Sequence, residues 1–200
     1  LRRQRQMCIR DRTKFEEKNK LFFFERENDV ENSIRIIQEK KLLVLNGPEG
    51  CGKSSLINAG LIPRLKNGFP GRFGNEWAIC KFRPSLSLLT NFCNALSNGE
   101  LNHNNKPNPS DFKRYLKLMD EGAIGIKKIY QESSIKSNKN LLIIIDQIED
   151  LFNFEDDIDN KIDYKEFIFN TISRASQFED TPIYFCISCL LYTSPSPRDR

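Results

Sequence analysis

The chain has one histidine, one tryptophan and no apolar run near the roughly 20 residues that cross a bilayer. The histidine, His103, sits among Asn and Pro in a polar stretch over 98–110, with no visible nucleophile or metal partner. It reads as a solvated loop residue, which argues against histidine-based catalysis. Cys51, Cys80, Cys93 and Cys186 lack C-x-x-C spacing among themselves and so mark no zinc ribbon or redox pair, and a reduced, cytoplasmic protein is the expectation. The strongest apolar run, Leu141-Leu142-Ile143-Ile144-Ile145, has the length of a core strand, so no membrane span is expected. Trp77 precedes an apolar alternation and reads as a core anchor rather than a stacking platform. The acidic run Glu155-Asp156-Asp157 with Asp159 lacks the glycine and final glutamate of an EF-hand loop, which leaves a solvated loop rather than a Ca²⁺ site.

The formal charge of +4 suggests a basic protein until the ends are read. Met7-Cys8-Ile9-Arg10-Asp11 and Cys189-Leu190-Leu191-Tyr192-Thr193 can be encoded by opposite strands of one DNA sequence. They resemble the transposase adapters used in preparing sequencing libraries. Residues 1–12 and 189–200 are therefore expected to be translated adapter, flanking a single domain over 13–188 that is a piece of a longer protein. The first twelve residues carry five Arg and one Asp, and the last twelve two Arg and one Asp, so without them +4 becomes −1. A nucleic-acid-binding surface then has no compositional support. Of six cysteines, Cys51, Cys80, Cys93 and Cys186 remain.

Gly47-Pro48-Glu49-Gly50-Cys51-Gly52-Lys53-Ser54 fills every fixed position of G-x-x-x-x-G-K-[ST]. The chemistry of this pattern is specific. Glycines let consecutive backbone N–H groups face a phosphate, lysine adds a point charge for the β/γ oxygens, and the Ser54 hydroxyl can hold Mg²⁺. Its context fits, with a buried strand over 41–45 entering the loop and a helix from Ser54 through Ser55 to Ala59 leaving it. Residues 47–55 are thus the candidate phosphate site.

Downstream, periodicity predicts a helix over 29–40 with Asp29 as N-cap, a strand over 77–82, and helices over 86–97 and from Ser110 or Asp111 to 119. Gly122 and Gly125 interrupt the pattern, and 122–140 is unresolved by it. A helix over 164–178 and a strand over 182–187 follow. Alternating strands and helices predict an α/β fold of P-loop NTPase type, a largely parallel sheet flanked by helices and incomplete at its C-terminus. The strand over 141–145 delivers Asp146, the Walker B arrangement in which a carboxylate reaches Mg²⁺ beside Ser54. Gln147 follows and cannot accept a proton, so Glu149 is the candidate base, with Asp150 beside it.

These residues resemble the novel STAND NTPase domain, a signal-transduction ATPase group related to NACHT and AP-ATPases. The resemblance rests on GPEGCGKSSLINAGLIPRL, LLIIIDQIEDLF, FFFERENDVE and W-x-x-x-x-F-R-P, and covers about residues 21–188. It implies ATP and Mg²⁺ as cofactors and slow hydrolysis. It also implies a nucleotide switch between an effector domain and WD, TPR or similar repeats, with oligomerisation on activation. Three positions depart from the family pattern. Glu25 replaces the glycine of F-x-G-R-E, Cys51 stands where Ser or Thr is common, and the polar or Arg residue after the last strand falls in the excluded tail, where Arg198 is not its counterpart. A GTPase is disfavoured because Asp146-Gln147-Ile148-Glu149 lacks the glycine of a D-x-x-G switch. A P-loop small-molecule kinase and a nucleotide-gated scaffold with little hydrolysis are the alternatives.

Overall fold

The computed structural model describes residues 26–71, 74–84, 88–98, 109–133, 139–152 and 164–191. His103, the acidic run at 155–159 and Phe23 to Glu25 lie outside the described residues. Helix α1, Glu27–Lys40, turns Val30, Ile34 and Ile37 inward at helical spacing. Its N-cap is Arg26 rather than Asp29. Asp29 lies in the first turn, where its carboxylate accepts from Arg26 Nε at 2.7 Å and suits the positive helix end. Lys41, in the left-handed region at φ 57°, closes the helix through its N–H to Ile37 O.

Four strands follow in sequence, β1 Leu42–Gly47, β2 Trp77–Phe82, β3 Asn140–Ile145 and β4 Ile183–Leu190. They hydrogen-bond in the order β1-β4-β3-β2, every pair parallel. All six residues of the central β3 are buried, as an uninterrupted apolar run requires when helices cover both faces. Strand β1 is at an edge among the described residues and alternates, with Val44 half exposed. Strand β4 runs past its predicted end, because Cys189 and Leu190 continue the ladder opposite Asn46 and Gly47.

Helix α2, residues 53–66, is a composite of an α turn Lys53–Ser55, a π-helical middle Leu56–Leu61 and an α end Ile62–Lys66. The π segment departs from the regular helix expected after the loop, and Pro63 supplies the reason. It has no N–H for an i−4 bond, and its ring would press on the Ala59 carbonyl. The wider turn, with Ile62 N–H reaching Ile57 O, accommodates it.

Helices α1 and α2 cover one face of the sheet, packing Ile34, Ile37, Leu61 and Leu65 on Leu142, Ile144 and Tyr184. Trp77 is buried in this layer, its indole N–H donating to Phe69 O at 2.7 Å and its ring 4.9 Å from that of Tyr184. The other face carries α3 Leu88–Asn98, α4 Pro109–Met119, α5 Ala123–Glu132 and α6 Tyr164–Ser176. They pack Phe92, Met119, Ile126 and Ile172 on Ile143 and Phe185. Residues 123–132, unresolved by pattern, are helical because Gly122, at φ 60°, absorbs the turn out of α4. Phe185 is wholly buried at the centre of this layer. Phe185→Ala is expected to destabilise the fold by about 3–5 kcal/mol, read as a lower denaturant midpoint at unchanged slope.

Candidate functional site

All four strands point their C-terminal ends the same way, and the chemistry-bearing residues collect there, where open parallel sheets bind ligands. The loop from β1 to α2 makes its turn with Gly50 at φ 75° and Gly52 at φ 90°, values that disfavour any side chain. A Cβ on Gly52 would also lie 2.9 Å from Arg26 Nη1. That guanidinium donates to Cys51 O at 3.1 Å and approaches Gly52 O at 3.5 Å. Arg26 thus holds the carbonyl side of the loop, which leaves the N–H side for an anion. Lys53 Nζ donates to Gly47 O at 2.7 Å and Pro48 O at 2.9 Å, so the ammonium sits within the loop.

Across the crevice, Asp146 leaves the end of β3 and is buried. Its Oδ1 accepts from Ser54 Oγ at 3.1 Å and from Ser188 Oγ at 2.7 Å, and its Oδ2 lies 3.4 Å from Lys81 Nζ. Two residues 92 positions apart in sequence, Ser54 and Asp146, are therefore in direct contact. The structure also brings in Ser188, which sequence reasoning missed. Ser188 lies two residues before the end of β4, and because β4 lies between β1 and β3 its hydroxyl reaches the carboxylate while accepting from Gln147 N at 2.8 Å. Its signal was a polar residue directly after the apolar run over 182–187.

Gln147 has φ 64°, the left-handed region, directly after Asp146. This kink turns the chain into a 3₁₀ helix, Ile148–Phe152, and folds Glu149 back against β4. Glu149 is buried, with Oε2 accepting from Leu190 N at 3.0 Å. That partner is a backbone N–H, which does not depend on the side chain at 190. The other oxygen, Glu149 Oε1, and Gln147 Oε1 are buried acceptors with no hydrogen-bond partner among the described residues. Such orphaned oxygens invite a water or another donor. Asp150 instead faces Arg83, 2.8 Å from its Nε.

The donors around Ser54 and Asp146 are hard oxygens suited to Mg²⁺. Among the described residues no group of three His, Cys, Asp or Glu could hold a metal unaided. A metal here would take its remaining ligands from phosphate and water, the usual manner of Mg²⁺. Cys51 is exposed on the loop, whereas Cys80, Cys93 and Cys186 are buried. Desolvation pushes the Cys93 thiol up to about 11 and, with Asp146 adding to it, Cys186 up to about 12. No described helix is long and apolar enough to cross a membrane.

A family model described as Novel STAND NTPase 1 matches residues 12–188. Among solved structures, the chain is similar to that titled "Structure of C. elegans PCH-2", with 15% sequence identity and a TM-score of 0.35. The match covers 92% of this chain and 35% of that one, so the chain spans about a third of that protein's length. No curated protein matches the sequence. With the match extending over most of its length and including both the glycine-rich loop and the β3 carboxylate, the chain belongs to the Novel STAND NTPase 1 family.

Proposed function

We propose that the crevice binds ATP with Mg²⁺ and serves as the nucleotide switch of a larger multidomain signalling protein, with slow hydrolysis resetting it. The observation that carries this reading is the 3.1 Å contact between Ser54 Oγ and Asp146 Oδ1, which joins the phosphate loop to the β3 carboxylate. In this reading the N–H groups of the loop from Gly47 through Pro48, Glu49, Gly50, Cys51 and Gly52 cradle the phosphates, Lys53 answers the β/γ charge, and Ser55 extends the donor row into α2. Ser54 and Asp146 hold Mg²⁺, which when bound neutralises charge developing on the phosphates. Glu149 orients and deprotonates the attacking water.

The reading places the protein in the cytoplasm and supposes effector and repeat domains as partners, with oligomerisation following nucleotide exchange. The scaffold alternative draws on a specific feature. Gln147, directly after Asp146, cannot accept a proton, and Glu149 is held by Leu190 N, so ATP binding without appreciable turnover is the second reading. A small-molecule kinase finds no support in an acceptor site.

Thiol alkylation tests the binding reading. Thiolate is the reactive form, and buried thiols raised to about 11 and 12 stay protonated at pH 8, so Cys51 is expected to react well before Cys93 and Cys186. ATP with Mg²⁺ at about ten times its dissociation constant should slow Cys51 alkylation about tenfold, as read by mass spectrometry of the labelled peptides. An unchanged rate at saturating ATP would contradict occupancy of the loop.

A further inference from the structure

Lysine is out of place in the run Trp77-Ala78-Ile79-Cys80-Lys81-Phe82, since strands of a covered parallel sheet read as near-continuous apolar stretches. On this strand, an edge among the described residues, the lysine side chain stays 29% exposed, yet its ammonium turns inward to two partners. Lys81 stands opposite Ile144 in the β2–β3 ladder, on the face covered by α2. Its ammonium lies between two oxygens, donating to Asn58 Oδ1 at 2.6 Å and lying 3.4 Å from Asp146 Oδ2. Asn58 is one helical turn beyond Ser54, so both project from the same side of α2 toward the carboxylate. Ser54 and Ser188 hold the other oxygen of Asp146.

We infer that Lys81 is a metal-gating positioning residue: it is the resident counter-charge of Asp146 and sets the Mg²⁺ concentration at which the site takes up nucleotide. This rests on the reading that Asp146 serves Mg²⁺. Asp146 is nearly inaccessible, and a carboxylate so placed is costly unless a positive charge stands beside it. Lys81 supplies that charge while the metal is absent. Once a divalent cation answers the same carboxylate, the ammonium becomes a like charge close to it and lowers its affinity. Asn58 is the alternative resting place. It already holds the ammonium at hydrogen-bond distance, so Lys81 can give up Asp146 without losing every partner. Two substitutions then act in opposite directions. Without the ammonium the metal meets less repulsion, and without the Asn58 amide the ammonium is thrown wholly onto Asp146.

The test uses the 200-residue chain with Lys81→Met, Asn58→Ala and Lys81→Arg, and two readouts. In Mg²⁺ titrations of fluorescent-ATP anisotropy, Lys81→Met should shift the Mg²⁺ midpoint about three- to tenfold lower, Asn58→Ala should shift it higher, and Lys81→Arg should stay near wild type. In thermal unfolding without nucleotide, Lys81→Met should melt below wild type in chelator and gain more from millimolar Mg²⁺ than wild type does. A purely structural lysine would lower Tm equally with and without Mg²⁺. That outcome, or midpoints unchanged in both Lys81→Met and Asn58→Ala, would overturn the inference. If the wild-type chain binds no ATP at any Mg²⁺ concentration, the proposed function fails instead. The melting comparison then decides on Lys81 by itself, a larger Mg²⁺-induced rise in Lys81→Met supporting it and an equal rise or none overturning it. Should Lys81→Met fail to fold, the upward shift in Asn58→Ala decides, and its absence overturns the inference.

Discussion

Lys53→Ala is expected to abolish ATP binding while leaving the fold intact. Lys53 packs into neither hydrophobic layer, and its ammonium is held by the Gly47 and Pro48 carbonyls alongside the exposed Cys51 sulfur. Truncation removes this point charge but no core contact, so stability should change by no more than about 0.5 kcal/mol. Hydrogen bonds to charged groups contribute about 1.5–3 kcal/mol each, and two phosphate oxygens depend on this side chain in the proposed complex. Affinity should therefore fall by about a hundredfold or more. Anisotropy of a fluorescent ATP analogue, with circular dichroism to confirm folding, measures both quantities. Unchanged affinity in a folded Lys53→Ala protein would sink the assignment of the loop.

The second large effect falls on turnover rather than binding. Glu149→Gln should lower hydrolysis by about 10²–10⁴-fold with ATP affinity within about twofold of wild type, the pattern of a lost general base. The substitution is conservative in shape, and an amide oxygen can still accept from Leu190 N in place of Oε2. What it removes is the proton-accepting capacity of the buried oxygen that has no hydrogen-bond partner among the described residues. Measured by phosphate release under single-turnover conditions, unchanged hydrolysis would exclude Glu149 as the base. Undetectable wild-type hydrolysis together with tight ATP binding would favour the scaffold reading.

The loop and the β3 carboxylate were legible in the sequence because each depends on local pattern. A glycine spacing forces one backbone path, and five apolar residues before an aspartate specify a strand covered on both faces. Helix α1 was legible for the same reason, although its start was not. Asp29 resembles an N-cap in composition, but Arg26 pairs with it and the helix begins at Glu27. The illegible residues depend on strand order. Ser188 and Lys81 matter only because β4 and β2 flank β3, a lateral order that the local pattern within each strand does not specify. Lys81 did leave a trace as a charge inside an apolar strand, and Ser188 left a fainter one. The π segment of α2 was likewise hidden, since its cause is Pro63, which acts on the turn before it rather than through any apolar period.

Isothermal titration of the wild-type chain with ATP in the presence of Mg²⁺ addresses the nucleotide reading most directly. One saturable site per chain, lost when Mg²⁺ is chelated or Lys53 is replaced, is the predicted result. Heat no greater than dilution at millimolar ATP, from protein shown to be folded, would contradict it.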